Sequence, residues 1–92
     1  MKDEPELGRY EARAGDGLAG YARYARGADD LFVFTHTEVL SAYEGQGVGG
    51  TLVRGALDDV RRRGGHIEVH CPFVRSWLER HPDYQDLVAT SG

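Results

Sequence analysis

Apolar and polar residues alternate twice near the start of the chain. Over Arg9–Ala14, Tyr10, Ala12 and Ala14 fall on one side, and Arg9, Glu11 and Arg13 on the other. That is the period of a half-buried strand. Leu18 to Arg26 alternate again, with Leu18, Gly20, Ala22 and Tyr24 opposite Tyr21 and Arg23. Gly15-Asp16-Gly17 joins the two as a hairpin, because Asp-Gly tolerates the positive φ angles of tight turns. Gly27-Ala28-Asp29-Asp30 makes the next turn. Leu31 to Val39 opens with Leu31-Phe32-Val33-Phe34, an unbroken apolar run expected of a central strand covered on both faces. Leu52, Val53, Ala56, Leu57 and Val60 then recur at helical spacing, so a helix from about Val48 to Arg63 has one apolar face. Gly64-Gly65 stops it. His66 to His70 reads as a short strand. Pro72 suits the first position of a second helix, whose buried stripe is Phe73, Val74, Trp77 and Leu78. His81-Pro82 ends that helix, and Asp83 to Val88 is read as one last helical turn.

The predicted order is β-β-β-α-β-α. This is an α/β fold, a mixed four-stranded sheet flanked by two helices, with a right-handed crossover through the first helix. Residues 1–92 make one domain, and residues 1–8 are expected to form a loose tail.

Composition narrows the classes of function. Hydrophobic residues are 40% and charged residues 28% of the chain, values of an ordinary soluble protein. No run approaches the roughly 18 apolar residues of a membrane span. The start, Met1-Lys2-Asp3-Glu4-Pro5-Glu6, lacks the basic and apolar regions of a secretory signal, and a cytoplasmic location is expected. The net charge of -4 argues against a nucleic-acid partner, which needs many phosphate contacts. Arg61-Arg62-Arg63 is read as the basic complement to a helix C-terminus. An exposed sheet edge in so small a domain leaves both a monomer and a homodimer open.

The densest signal lies between the third strand and the first helix. Gly45, Gly47, Gly49 and Gly50 strip side chains from the backbone where a helix begins. The first amides of a helix have no intrahelical partner, and they sit at the positive end of its dipole. Together they make a seat for phosphate. Gly45-x-Gly47-x-x-Gly50, with Glu68 downstream, matches the dinucleotide-binding pattern as letters. The context does not match, because Leu40 to Glu44 separate the strand from the first glycine and two antiparallel strands precede the unit. A P-loop is excluded, since no Gly-Lys-Ser/Thr follows.

Glu44-Gly45-Gln46-Gly47-Val48-Gly49 resembles the acetyl-CoA pyrophosphate loop of the GNAT N-acetyltransferases, with Glu44 standing where that family usually has Gln or Arg. The resemblance implies a fold in which this strand splays from its neighbour and pantetheine lies in the gap. It implies that Val39 and Leu40 line the pantetheine arm. It also implies that Gln46, Gly47, Val48, Gly49, Gly50 and Thr51 seat the pyrophosphate. His36-Thr37-Glu38-Val39, Cys71-Pro72-Phe73-Val74 and His81-Pro82-Asp83-Tyr84 are similar to blocks of a short, stand-alone branch of GNAT-like proteins. The implied activity is transfer of an acetyl group from acetyl-CoA to an amine, on a small molecule or a protein. Typical members carry a helical segment after their first strand that shapes the acceptor site. Gly15-Asp16-Gly17 leaves no room for it here, so an open acceptor face is expected. A CoA-binding interaction module without turnover and a Cys-His thioesterase are the alternative functions.

Three residues lead the candidates for chemistry. Cys71, the only thiol, sits where a strand ends and a helix begins, a setting that favours a thiolate. His36 lies on the neighbouring strand and is expected to approach Cys71 across the sheet gap, since a Cys-His pair makes a nucleophile. Glu38 is a candidate base for an amine acceptor. Tyr43 and Tyr84 are candidate phenols for the leaving thiolate. His66, His70, Cys71 and His81 include zinc-binding residue types. However, His66 and His70 lie roughly 13 Å apart along an extended strand, and no metal is expected.

Overall fold

The computed structural model describes residues 2–89. Five strands and two helices follow in the order β1 (Lys2–Glu4), β2 (Arg9–Ala14), β3 (Gly17–Arg26), β4 (Leu31–Val39), α1 (Val48–Arg62), β5 (His66–Val69) and α2 (Pro72–Glu79). Short 3-10 turns cover Ser41–Tyr43 and Pro82–Leu87. The strands lie side by side in chain order in one sheet. β1 to β4 are antiparallel neighbours, and β5 runs parallel to β4. The fold is the expected mixed α/β one, with one strand more than the four read from the pattern.

That extra strand corrects the loose tail. Lys2–Glu4 pairs with Arg9–Glu11, and Met1 lies outside the described residues. What holds β1 is distant in sequence. Asp3 accepts a hydrogen bond from Tyr24 Oη at 2.5 Å and from Arg63 at 2.7 Å. Arg63 also meets Asp59 at 2.9 Å, and Asp59 accepts from Tyr10 Oη at 2.7 Å. Burial, then the hydrogen bond to Asp59, push the Tyr10 phenol well above its ordinary range. This tyrosine therefore stays a donor throughout the working pH range.

Both helices cover the same sheet face. Tyr10, Tyr24, Phe32, Phe34 and Ile67 meet Leu52, Val53, Leu57 and Val60 of α1 and Val74, Trp77 and Leu78 of α2 in one core. α1 is stopped just past its C-cap Arg63 by Gly64, whose φ of 71° closes a Schellman pair. Gly65 N–H donates to Val60 C=O and Gly64 N–H to Arg61 C=O. The arginines there, read as the complement of the helix C-terminus, are each paired with a carboxylate instead. Arg61 grips Asp86, Arg62 meets Asp59, and Arg63 meets Asp3 and Asp59. No helix among the described residues is long and apolar enough to cross a membrane.

The second sheet face is open, which corrects the expectation that β4 is covered on both sides. Val33 is only half-buried, and His36 and Glu38 are exposed. The open face still contains one buried charge. Glu11 is 1% exposed and lies between Arg9 at 2.7 Å and Arg13 at 3.0 Å. Burial alone would raise its carboxyl. The two guanidiniums, by hydrogen bond and charge, outweigh burial and hold it below the ordinary glutamate value.

A carboxyl depressed on folding stabilises the protein above its unfolded pKa, near 4.3. That contribution is lost as pH falls through the folded value. Glu11→Gln is therefore expected to lower stability at pH 7 by about 1–3 kcal/mol. It should cost much less at strongly acid pH, below the folded value, where the native carboxyl is also protonated. Urea midpoints at both pH values check this, and equal losses at both would contradict it.

Candidate active site

The site begins where β4 and β5 part. Their pairing ends at Phe34 and Val69, with His70 N–H donating to Phe34 C=O at 2.9 Å as the last rung. Two residues later comes Pro72, at the first position of α2. Proline has no N–H for a ladder and is preset for a helix start. It also holds the residue before it extended, and Cys71 has φ -93° and ψ 121°. The chain therefore leaves the sheet as α2, while β4 runs on to Val39. Leu40 N–H donates to Ala19 C=O on β3 at 2.9 Å. Strand alternation then turns the main chain of Thr37 and Val39 towards the vacated side.

The open strand edge runs into the head of α1. Gly47 is its N-cap, with φ 76° and no side-chain cap. The left-handed angle explains the need for glycine there. The first helical bond is Thr51 N–H to Gly47 C=O, which leaves the amides of Val48, Gly49 and Gly50 without intrahelical partners. Gly49 is glycine for another reason. A Cβ there would lie 2.5 Å from Phe73 Cζ, because the first turn of α2 closes onto the first turn of α1. The result is a cavity of about 310 Å³ lined by Val39, Tyr43, Gly47, Val48, Gly49 and Gly50, with Glu44 and Phe73 also on its wall.

Some residues read as cofactor contacts fall elsewhere. Leu40 commits its amide to β3 and does not line this cavity. Gln46 bonds Ala42 C=O at 3.5 Å and faces a neighbouring cavity with Thr51, Tyr43 and Val48. Phe73, read as core, is 39% exposed at the cavity wall. Tyr84 is buried away from the gap. Its Oη donates to Asp58 at 2.7 Å and accepts from Arg54 at 3.4 Å.

The expected Cys71–His36 pair does not form, and a β-bulge is the reason. Arg23 pairs with His36 and Tyr24 with Phe34, so Thr35 is the extra residue on β4. A regular strand would give His36 the same face as Phe34. The bulge shifts the alternation by one. Thr37 takes the helix face, and Cys71 Sγ lies 3.4 Å from Thr37 Oγ1. His36 and Glu38 turn to the open face, with His36 Nε2 3.4 Å from Glu38 Oε1 and both about half exposed. Tyr21, cross-strand from Glu38, sits 6.2 Å from the His36 ring.

Beside the glycine loop lies a second cavity, about 590 Å³, lined by Gly50, Thr51, Arg54, Trp77, Arg80 and His81. The sequence reading missed Arg54 and Arg80. Arg54 stands one helical turn after Gly50, and that spacing was the available signal.

The model of the GCN5-related N-acetyl-transferase family matches residues 9–87. The chain belongs to that family. Among solved structures, a GCN5-like protein from Staphylococcus aureus is similar over all of this chain and 88% of its own, with a TM-score of 0.70 and 22% identity. A GNAT-family protein from Desulfovibrio desulfuricans is similar over 76% of this chain and 50% of its own, at TM-score 0.59 and 24% identity. The ribosomal-protein-alanine N-acetyltransferase of Brucella melitensis biovar Abortus 2308 is similar over 89% and 61%, at TM-score 0.55 and 17% identity. At these identities the structural likeness speaks for the GNAT fold. No functionally curated protein matches the sequence.

Cys71 is 2% exposed, so its thiol should be shielded from solvent reagents. A thiol-labelling reagent is expected to react with native protein roughly two orders of magnitude more slowly than with urea-unfolded protein, as an opening cost of a few kcal/mol dictates. Equal rates would show that Cys71 is reached from the gap.

Proposed function

We propose that this GNAT-family chain, as one domain over residues 1–92, binds acetyl-CoA between β4 and β5 and passes its acetyl group directly to an amine. The observation that carries this reading is the continuity of the unpaired β4 edge with the uncapped amides of α1. Pantetheine carries amides of its own, which fit an unpaired strand edge. A pyrophosphate fits helix N-terminal amides. Both requirements meet in one cavity. The His36–Val39 and Cys71–Val74 blocks are read as the mark of a short stand-alone branch.

Acetyl-CoA supplies an acyl group on a thioester, whose thiolate leaves readily at about the acidity of a free thiol. The chain's own groups supply the rest. The main-chain N–H of Val39, turned to the gap, is the donor for the carbonyl oxygen, where a fixed donor is worth most as charge develops. Val39, Val48 and Phe73 keep that stretch apolar. On the other side of the sheet, Glu38 and His36 accept the proton of the attacking amine. Their exposure suits a protein or peptide amine better than an enclosed small molecule. Passage through Cys71 and a Cys-His thioesterase both need a base at the thiol. The neighbour of Cys71 is the Thr37 hydroxyl, and His36 faces away. Direct transfer is therefore favoured over both.

Isothermal titration should show saturable binding of acetyl-CoA and CoA and none of NADH. Absence of CoA binding would reduce the glycine turn to a structural element. Glu38→Gln combined with His36→Ala should leave CoA affinity within about twofold and lower amine acetylation about 100-fold. An unchanged rate would remove the pair from the mechanism. Intact mass after incubation with acetyl-CoA should show no acetyl adduct on Cys71.

A further inference from the structure

We propose that the cationic cavity beside α1 reads a terminal phosphate monoester on the ligand of the glycine loop, and so selects CoA over its 3′-dephospho form. The inference rests on the acetyl-CoA reading above and adds a selectivity determinant to it. Gly50 lines both cavities, so a ligand whose pyrophosphate lies on the loop has its next substituent at this second opening. Arg54 follows Gly50 by one turn, about 5–6 Å along the helix axis. That reach is of the order of the step from a pyrophosphate across a ribose.

The lining chemistry is one-sided. Arg54, Arg80 and His81 line the cavity, and no carboxylate does, in a chain of net charge -4. Arg9, Arg13, Arg26, Arg61, Arg62 and Arg63 each have a carboxylate partner. Arg54 and Arg80, like Arg23 and Arg75 elsewhere on the surface, have none among the described residues, and of these four only Arg54 and Arg80 line this cavity, where both are available to an anion. Arg54 is also held in place. Its guanidinium lies 5.5 Å from the Trp77 ring and 5.7 Å from the Tyr84 ring, and it donates to Tyr84 Oη. Fixing the fork before the ligand arrives reduces the entropy lost on binding. The opposite wall is equally fixed. The His81 ring stacks on Trp77 at 3.9 Å, and its Nδ1–H donates to Trp77 C=O at 2.8 Å. Guanidinium forks match phosphate oxygens, and a monoester has more charge to offer them than a diester.

Trp77 is the only tryptophan and lines the cavity, so its fluorescence reports occupancy without any turnover. The test compares CoA with 3′-dephospho-CoA on the wild-type chain, on Arg80→Gln and on Arg54→Gln, with adenosine 3′,5′-bisphosphate as a probe of the cavity alone. The wild-type chain should bind CoA about tenfold or more tightly than 3′-dephospho-CoA, the effect of one charge-assisted phosphate contact. Arg80→Gln, an exposed change at the end of α2, should bind 3′-dephospho-CoA as the wild type does and lose most of the preference. Arg54→Gln should lose it too. Equal wild-type affinity for the two ligands, or a preference untouched in Arg80→Gln, would overturn this inference and leave acetyl-CoA binding intact. Failure to bind either ligand would overturn the underlying reading and this inference with it.

Discussion

Pro72 decides where the sheet opens. It follows the last β4–β5 rung, His70 to Phe34, within two residues. Its missing N–H and fixed φ end any further pairing. β4 outlasts its neighbour, and its edge at Thr37 and Val39 is left for another partner. Unpaired main-chain groups away from water are costly, so such an edge persists as a cleft or as a ligand seat. The same proline starts α2 in the direction that brings Phe73 against Gly49 and Trp77 near Gly50. One backbone constraint thus opens the gap and closes its floor.

The bulge at Thr35 then divides the chemistry between two faces. On the helix side it leaves Thr37 beside the buried Cys71, a thiol in a packed and uncharged setting. On the open side it leaves His36 and Glu38 together, wet and accessible. A thiol on one side and a base on the other cannot act as a nucleophilic pair. A donor arriving in the gap and an acceptor arriving on the open face can meet through the splayed strands. The proposed direct transfer rests on this division. The face on which the acceptor is proposed to arrive has no helix over it among the described residues, since Gly15 and Asp16 alone join β2 to β3.

Much of this was legible in the residues, and what was missed has a common cause. The period-two strands, the α1 stripe from Leu52 to Val60, the Gly64-Gly65 stop and Pro72 at a helix start are local signals, and each appears within a residue or two of its reading. The glycine turn was legible as a helix head. The two demands within it, left-handed φ at Gly47 and ring contact at Gly49, depend on where α2 lands. β1 was invisible because Asp3 is held by Tyr24 and Arg63, 21 and 60 positions away. The bulge was invisible because Thr35 and His36 have no local mark of a register shift. That single residue moved His36 away from Cys71. Tyr84 has the residue type of a general acid, and only its bond to Asp58 reveals a packing role.

The most direct test of the acetyl-CoA seat is an amide nitrogen–proton NMR titration of the chain with acetyl-CoA. Saturable shifts should concentrate at Thr37, Val39, Gly47, Val48 and Gly49, with Tyr10 and Leu57 unmoved. Shifts confined to other surfaces, or none at ligand excess, would show that the open strand edge and the helix head do not together form an acetyl-CoA site.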